Sequence, residues 1–400
     1  MRLIYTLAHQ GSSPLTSWQF LVYGFDVGRM CRGIREDSSI DRCNTEAQKA
    51  NVGHGYIQSE KRAGRSTALF VFGDSLLDPG NDEKLITLAR ADRPPYGRDL
   101  IDHHPSGRFC NGLLSSDILA SLAGLPYPPA YLLDKENIMS GTSFASSGAG
   151  IMNLTGYQLL QRINFVEQVG FFSEVRKKLM DRVGRQKAQE IVSKAVFLVC
   201  LGNNDYLTNY FGNPWGLSSE QRKLPPDEFR TLLISIYESN LLELYGLGAR
   251  KFALVSLSVI GCIPLELLLS RSHDGSCNMV INQEVRRFNS DLLALALKLQ
   301  AAHRDAHFTF VNSYNIVSKV IKNPFEYGFK YAAEACCGAG PYKGLPCYKA
   351  ISSVCANASE YLFWDFAHPT EALNALLANR YWAGTFPDVS SMNLQEMFAL

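Results

Sequence analysis

The sequence predicts an α/β fold: a three-layer α/β/α sandwich around a mostly parallel sheet. Three observations carry that expectation. Apolar runs of strand length recur at Ala68–Phe72, Ala195–Leu201, Lys251–Leu257 and His307–Val311. They are continuous rather than alternating, as strands buried on both faces require. Helical patterns separate or follow them, and neither a linker nor an internal repeat breaks the alternation between Ala68 and about Trp382.

Along the chain, residues 1–65 are polar and irregular, without a helical or strand period. They predict an irregular or disordered leader before one domain over 66–400. The run Ala68–Phe72 predicts the first strand, stopped by Gly73. A loop marked by Pro94-Pro95-Tyr96-Gly97 and Pro105-Ser106-Gly107 leads to a helix over Ser115–Leu122, which ends at Gly124. Ser140–Gly150 is rich in small residues and reads as a loop. The second strand, Ala195–Leu201, ends at Gly202. Pro225–Leu247 carries apolar residues at 229, 232, 233, 236, 237 and 244, a helical period with prolines at its start and glycines at its end. Lys251–Leu257 is the third strand, Cys277–His303 a long helix, and His307–Val311 the fourth strand. Pro369–Trp382 is a final helix with proline in its first turn.

Composition excludes several classes. The formal charge is +1, with no strongly basic half, so no nucleic-acid partner is expected. The longest apolar runs, 195–201 and 292–297, fall far short of the roughly 18–20 residues that a membrane-spanning helix needs. A soluble protein is the expectation, with its oligomeric state left open. Six of the ten cysteines crowd between Cys262 and Cys355, among loop-forming residues. Clustered loop cysteines predict disulfides and an oxidising compartment. A zinc site using Cys347, Cys355 and His368 is the competing reading, but no Cys-x-x-Cys pair exists. Cys262 with Cys277 closes a short loop and is the first expected pair; the others allow several pairings. Sequons at Asn153 and Asn357 fit a secretory route. The N-terminus does not, because Gln10, Ser12, Ser13 and Pro14 interrupt what would be a signal peptide's apolar core.

Sites in open α/β sheets form beyond the carboxyl ends of strands. The first strand runs into Gly73-Asp74-Ser75, which offers a hydroxyl at such an end. A helix N-terminus close by would favour developing negative charge there. The plain alternative is that Asp74 and Ser75 cap a helix. The second strand runs into Gly202-Asn203-Asn204-Asp205, where the Asn204 amide could donate to an oxyanion or simply form a turn. Ser143–Gly150 offers backbone N–H groups with little side-chain obstruction, or is only a connector. Its glycine spacing does not fit a dinucleotide site. Asp365 and His368 stand three residues apart and can meet within one turn. The carboxylate would take one ring nitrogen and leave the other facing Ser75. Pro369 is expected to fix the direction of His368. The plain alternative is a structural Asp365–His368 pair. Phe72, Phe144, Tyr206 and Trp364 could line an acyl pocket, but strands and strand ends use such residues for core.

Taken in order, these stretches resemble the plant GDSL esterase/lipase family, a branch of the SGNH hydrolases. The resemblance rests on eight segments: 70–78 (Phe-Val-Phe-Gly-Asp-Ser-Leu-Leu-Asp), 94–97, 107–112, 144–151, 201–206, 261–264, 335–338 and 363–370 (Phe-Trp-Asp-Phe-Ala-His-Pro-Thr). It implies a flavodoxin-like sheet, with Ser75 as nucleophile, His368 as base and Asp365 as its partner. It also implies an oxyanion hole made by Ser75 N–H, Gly148 N–H and the Asn204 side chain. The implied activity is hydrolysis of a small-molecule or lipid ester without metal or organic cofactor, in a secreted protein. An acyltransferase would use the same residues; a non-catalytic lipid- or glycan-binding protein on this fold is the rival from another class. The chain departs from the family pattern at Ser143, at Ser147 and in Asp78-Pro79-Gly80-Asn81-Asp82.

Overall fold

Strand β1, Leu69–Gly73, is buried along its whole length, as is β2, Val196–Cys200. The computed structural model describes residues 66–212 and 224–400, which belong to the compact unit Lys61–Leu400. The leader expected over 1–65 lies outside the described residues, as do Cys31 and Cys43. With β3, Lys251–Val255, and β4, His307–Val311, the strands form a parallel sheet in the order β1-β2-β3-β4. Phe70 pairs with Phe197 and Phe252 with Phe308 across neighbouring strands. Their rings, with those of Phe72, Phe144 and Phe172, interlock in the core.

The segment 140–146, expected as a loop, runs alongside the free edge of β1. Leu69 N donates to Ser140 O, Val71 N to Thr142 O, and Phe144 N returns to Val71 O. The effective order is therefore 140–146, β1, β2, β3, β4, the flavodoxin-like arrangement with its switch point between β1 and β2. Small residues hid this strand because Gly141 comes within hydrogen-bonding distance of β1 itself. A Cβ there would stand 1.9 Å from Leu69 O.

Helices form two sets. One comprises α2 (Phe165–Val183), α3 (Arg185–Lys194), α4 (Pro226–Gly246) and α6 (Met279–Ala302). The other comprises α1 (Ser115–Leu122), α7 (Ser313–Lys322), α8 (Glu371–Ala383) and α9 (Leu394–Ala399). The sets cover the two faces of the sheet, which gives the three layers expected. Helices α2, α3, α7, α9 and the short α5 (Pro264–Leu269) are additions to the expected elements. Helix α8 corrects a further expectation. It starts at Glu371 with the Thr370 side chain capping Leu373 N, so Pro369 stands outside it.

After α7 the chain builds a disulfide-bound annex. Strand β5 (Tyr331–Ala335) pairs with β8 (Tyr361–Phe363), and β6 (Cys337–Gly338) with β7 (Ser353–Val354). The six clustered cysteines pair as Cys262–Cys277, Cys336–Cys355 and Cys337–Cys347. This removes the zinc reading. Cys110 and Cys200 are buried free thiols.

Candidate active site

Ser75 lies two residues past the end of β1, at the switch point. The chain does not enter a helix there, contrary to the expectation of a helix N-terminus. It makes one turn, in which Asp74 O accepts from Leu77 N and Asp74 Oδ1 from Leu76 N. The nearest helical turn, the 3₁₀ segment Asn81–Lys84, comes later. Asp74 thus takes the turn-forming role and leaves the Ser75 hydroxyl uncommitted to capping. Its carboxyl is pushed up to about 6 by burial, against hydrogen bonds from Leu76 N and Asn203. Gly73, the last residue of β1, has both backbone groups satisfied by Gln168 of α2. That pairing ends the strand and fixes the base of the turn.

Asp365 and His368 arrive on the other side, on the loop between β8 and α8. Asp365 Oδ1 accepts from Ala367 N and His368 N, both at 2.9 Å, which closes the tight turn expected from their spacing. His368 Nδ1 lies 2.7 Å from Asp365 Oδ1, and His368 Nε2 lies 2.8 Å from Ser75 Oγ. The ring is aimed from several sides. Trp364 N donates to His368 O, and Phe109 packs on the imidazole with 4.7 Å between centroids. Pro369 contributes through its bridge to Phe363 rather than by starting the helix. Burial works to raise the Asp365 carboxyl, but the His368 imidazole and hydrogen bonds from Ala367 N and Tyr96 outweigh it and hold it below its ordinary value.

Gly148 and Asn204 line the same cavity as Ser75 and His368. Gly148 has φ +78°, where a side chain strains the backbone. The Asn204 amide donates to Ala149 O at 3.0 Å, so the two elements meet. Asn204 has a second amide hydrogen, and among the described residues no protein acceptor takes Ser75 N–H or Gly148 N–H. The loop is braced from beneath. Buried Asp205 accepts from Ile151 N, Met152 N and the Thr155 hydroxyl. Asn81 holds the carbonyls of Ser143 and Ala145. Ser143 bonds Leu77 O, tying the loop to the Ser75 turn.

A cavity of about 610 Å³ opens over these groups. Its walls are largely aliphatic, with Leu159, Leu207, Ile263, Leu268, Val317 and Leu377 among them. Phe72, Phe144, Tyr206 and Trp364 do not line it; they are fully buried core. Among the described residues, no group of three or more His, Cys, Asp or Glu is arranged to hold a metal, and no helix is long and apolar enough to cross a membrane.

The GDSL-like lipase/acylhydrolase family pattern matches residues 69–381. The chain belongs to that family. It is accordingly a carboxylic ester hydrolase. It is 37% identical to the GDSL esterase/lipase LTL1 of Arabidopsis thaliana over 339 residues, 84% of this chain and 92% of that protein. A second Arabidopsis relative, the GDSL esterase/lipase APG, is 37% identical over 317 residues, 78% of this chain and 88% of its own length. A third GDSL esterase/lipase from the same plant reaches 40% over 337 residues, 83% and 91% of the two chains.

In this GDSL hydrolase, sequence reasoning missed one contributor to the site. Tyr96 donates its hydroxyl to Asp365 Oδ2 at 2.7 Å, across 269 positions. Its ring packs edge-on to Phe109 and Trp364. The signal was present in Pro94-Pro95-Tyr96-Gly97, but a Pro-Gly context reads first as turn chemistry.

Proposed function

We propose that Ser75 is the nucleophile, His368 its general base and Asp365 the group that orients and balances the imidazole. One observation carries the reading: an unbroken hydrogen-bonded line from Ser75 Oγ through both ring nitrogens of His368 to Asp365. His368 Nε2 takes the hydroxyl proton as Ser75 Oγ attacks the ester carbonyl carbon. The tetrahedral oxyanion is held by Ser75 N–H, Gly148 N–H and the free amide hydrogen of Asn204. Collapse expels the alcohol with the proton from His368, and water repeats the sequence on the acyl-enzyme. The aliphatic cavity supports esters with an extended acyl chain as substrates. The three disulfides, and the exposure of both sequon asparagines, Asn153 and Asn357, support a secretory route.

Ser75→Ala is expected to cut kcat about 10^6-fold, since triad members act as a unit. Asn204→Ala costs about 10^2- to 10^3-fold, as one donor of several. A fluorophosphonate should label Ser75 in the folded protein. Near-normal turnover of a chromogenic ester by Ser75→Ala sinks the assignment.

A further inference from the structure

Arg93 stands out among the arginines around the cavity. Arg90 is bound by Asp92, with Nε at 2.9 Å, and by the carbonyls of Leu85 and Glu83. Arg108 forms a two-point pair with Asp117, and Arg98 donates to Cys355 O. Of these arginines, Arg90 and Arg93 line the cavity, and Arg93 makes no ion pair among the described residues. Its Nε is buried and has no hydrogen-bond partner there. The carboxylate next to it in sequence, Asp92, is committed to Arg90.

The guanidinium is nonetheless held in place. Its central carbon lies 4.6 Å from the Tyr348 ring centroid and 6.0 Å from that of Tyr96. Two aromatic faces fix the plane of a guanidinium without using its N–H donors. The Tyr96 hydroxyl in turn reaches Asp365 at 2.7 Å, so Arg93 stands one tyrosine ring from the proposed triad. Tyr348 is 44% exposed, which sets Arg93 near the cavity mouth, whereas Val317, Leu373 and Leu377 line a deep, buried end. The one carboxyl in the cavity wall among the described residues, Asp74, is occupied by Leu76 N and Asn203. Arg93 is half-buried overall, and only Nε is enclosed, so the rest of its guanidinium stays open to an anion entering the cavity. Carboxylate and phosphate oxygens match a guanidinium best.

We propose that Arg93 is an anion subsite, and that the preferred substrates are amphiphilic esters. Their acyl chain fills the aliphatic cavity, and their alcohol portion carries a carboxylate or phosphate that binds Arg93. The proposal rests on the ester-hydrolase reading of the same cavity and adds a substrate class to it.

The test compares three decanoyl esters that differ only in the alcohol: glycerol, glycerate and glycerol 3-phosphate. In the unmodified protein, kcat/KM should favour at least one charged ester over the neutral one, and salt should weaken the preference. Arg93→Gln should lower that charged-to-neutral ratio roughly 10- to 100-fold, the range expected for a charge-assisted contact. Arg93→Lys should keep part of it. Preference for glycerate identifies a carboxylate as the natural group, and preference for glycerol 3-phosphate a phosphate. A ratio that is the same in Arg93→Gln overturns the proposal, as does an unmodified protein with no charge preference. Calorimetric binding of decanoyl glycerol 3-phosphate to Ser75→Ala gives a readout independent of turnover. Adding Arg93→Gln should weaken it about tenfold, and unchanged affinity overturns the subsite. Absent hydrolysis of all three esters, with Arg93-dependent binding intact, would sink the hydrolase reading and leave the subsite standing.

Discussion

Asp365 is fully buried, yet it accepts from Ala367 N, His368 N, His368 Nδ1 and Tyr96 Oη. A buried carboxylate stays ionised when its lone pairs are this well occupied. Three of those donors come from its own turn, and the Asp-x-x-His spacing implied the ring nitrogen among them. The Tyr96 donor comes from a distant loop and holds the oxygen that the imidazole uses less. Tyr96 is therefore a positioning residue. Tyr96→Phe keeps the ring contacts with Phe109 and Trp364 and removes only the hydroxyl. It is expected to lower kcat about tenfold with KM nearly unchanged, in line with the loss of a group that orients a primary ligand or base. Steady-state kinetics, with the thermal midpoint measured alongside, checks this. A rise in KM at constant kcat would assign Tyr96 to substrate binding instead.

Among the elements, the loop 143–150 and the annex of β5–β8 each hold one side of the site. The loop is a strand edge as far as Ala145, then bends through Gly148, which has a positive φ and lines the cavity. Gly148→Ala would strain that φ and bring a Cβ to 2.6 Å from Leu159 Cδ1. Leu159 can shift, so the chain should still fold. Turnover should fall roughly 100-fold through the displaced donor, measured against fluorophosphonate labelling, which should persist at a lower rate. The annex carries the opposite partner. Cys336 N and Cys337 N donate to Phe363 O and Trp364 O, the residues just before Asp365. Disulfides Cys336–Cys355 and Cys337–Cys347 close this segment on itself. Reduction, or paired Cys336→Ala and Cys355→Ala, should cost about 2–4 kcal/mol of stability. It should also lower activity, because the Asp365–His368 turn hangs from that segment. Thermal unfolding and ester hydrolysis with and without reductant decide it.

For the molecule as a whole, the notable cost is a set of buried carboxyls behind the site. Asp78 and Asp82 lie within hydrogen-bonding reach of each other and both face the Ser147 backbone N–H, a single donor for two buried carboxyl oxygens, Asp78 Oδ2 and Asp82 Oδ2. A proton shared between them satisfies both. Burial pushes Asp78 up to about 6 and Asp82 well above the usual carboxylate range, the latter raised further by the Asp78 charge. A carboxyl that holds its proton more tightly folded than unfolded stabilises the fold fully below its unfolded value, 3.8 for Asp78, and gives that up as pH rises through about 6. Glu266, raised to about 7 by burial, acts in the same direction. Stability should therefore fall between pH 4 and pH 7. Asp82→Asn removes one ionisable member and keeps an acceptor for the Ser146 hydroxyl. It should raise the thermal midpoint at pH 7.5 by roughly 2–5 °C and flatten the pH dependence. A midpoint unchanged at pH 7.5 would show that the pair carries no such burden.

The sequence by itself determined the layered α/β class, the four main strands and the Asp365–His368 turn, because these depend on local apolar runs and short spacings. It also named Ser75, Gly148 and Asn204, through motifs that survive in order along the chain. Long-range pairing decided the rest. The edge strand at 140–146 exists only because β1 lends it partners, and helices α2 and α7 carry apolar periods, at 165, 169, 172 and at 316, 317, 320, whose buried faces only the packing against the sheet makes plain. Tyr96 reaches Asp365, and Arg93 reaches the cavity unpaired, across intervals of sequence that carry no record of proximity. Side-chain chemistry is written residue by residue, whereas the distances that turn it into a site arise only when distant segments close on the same strand ends.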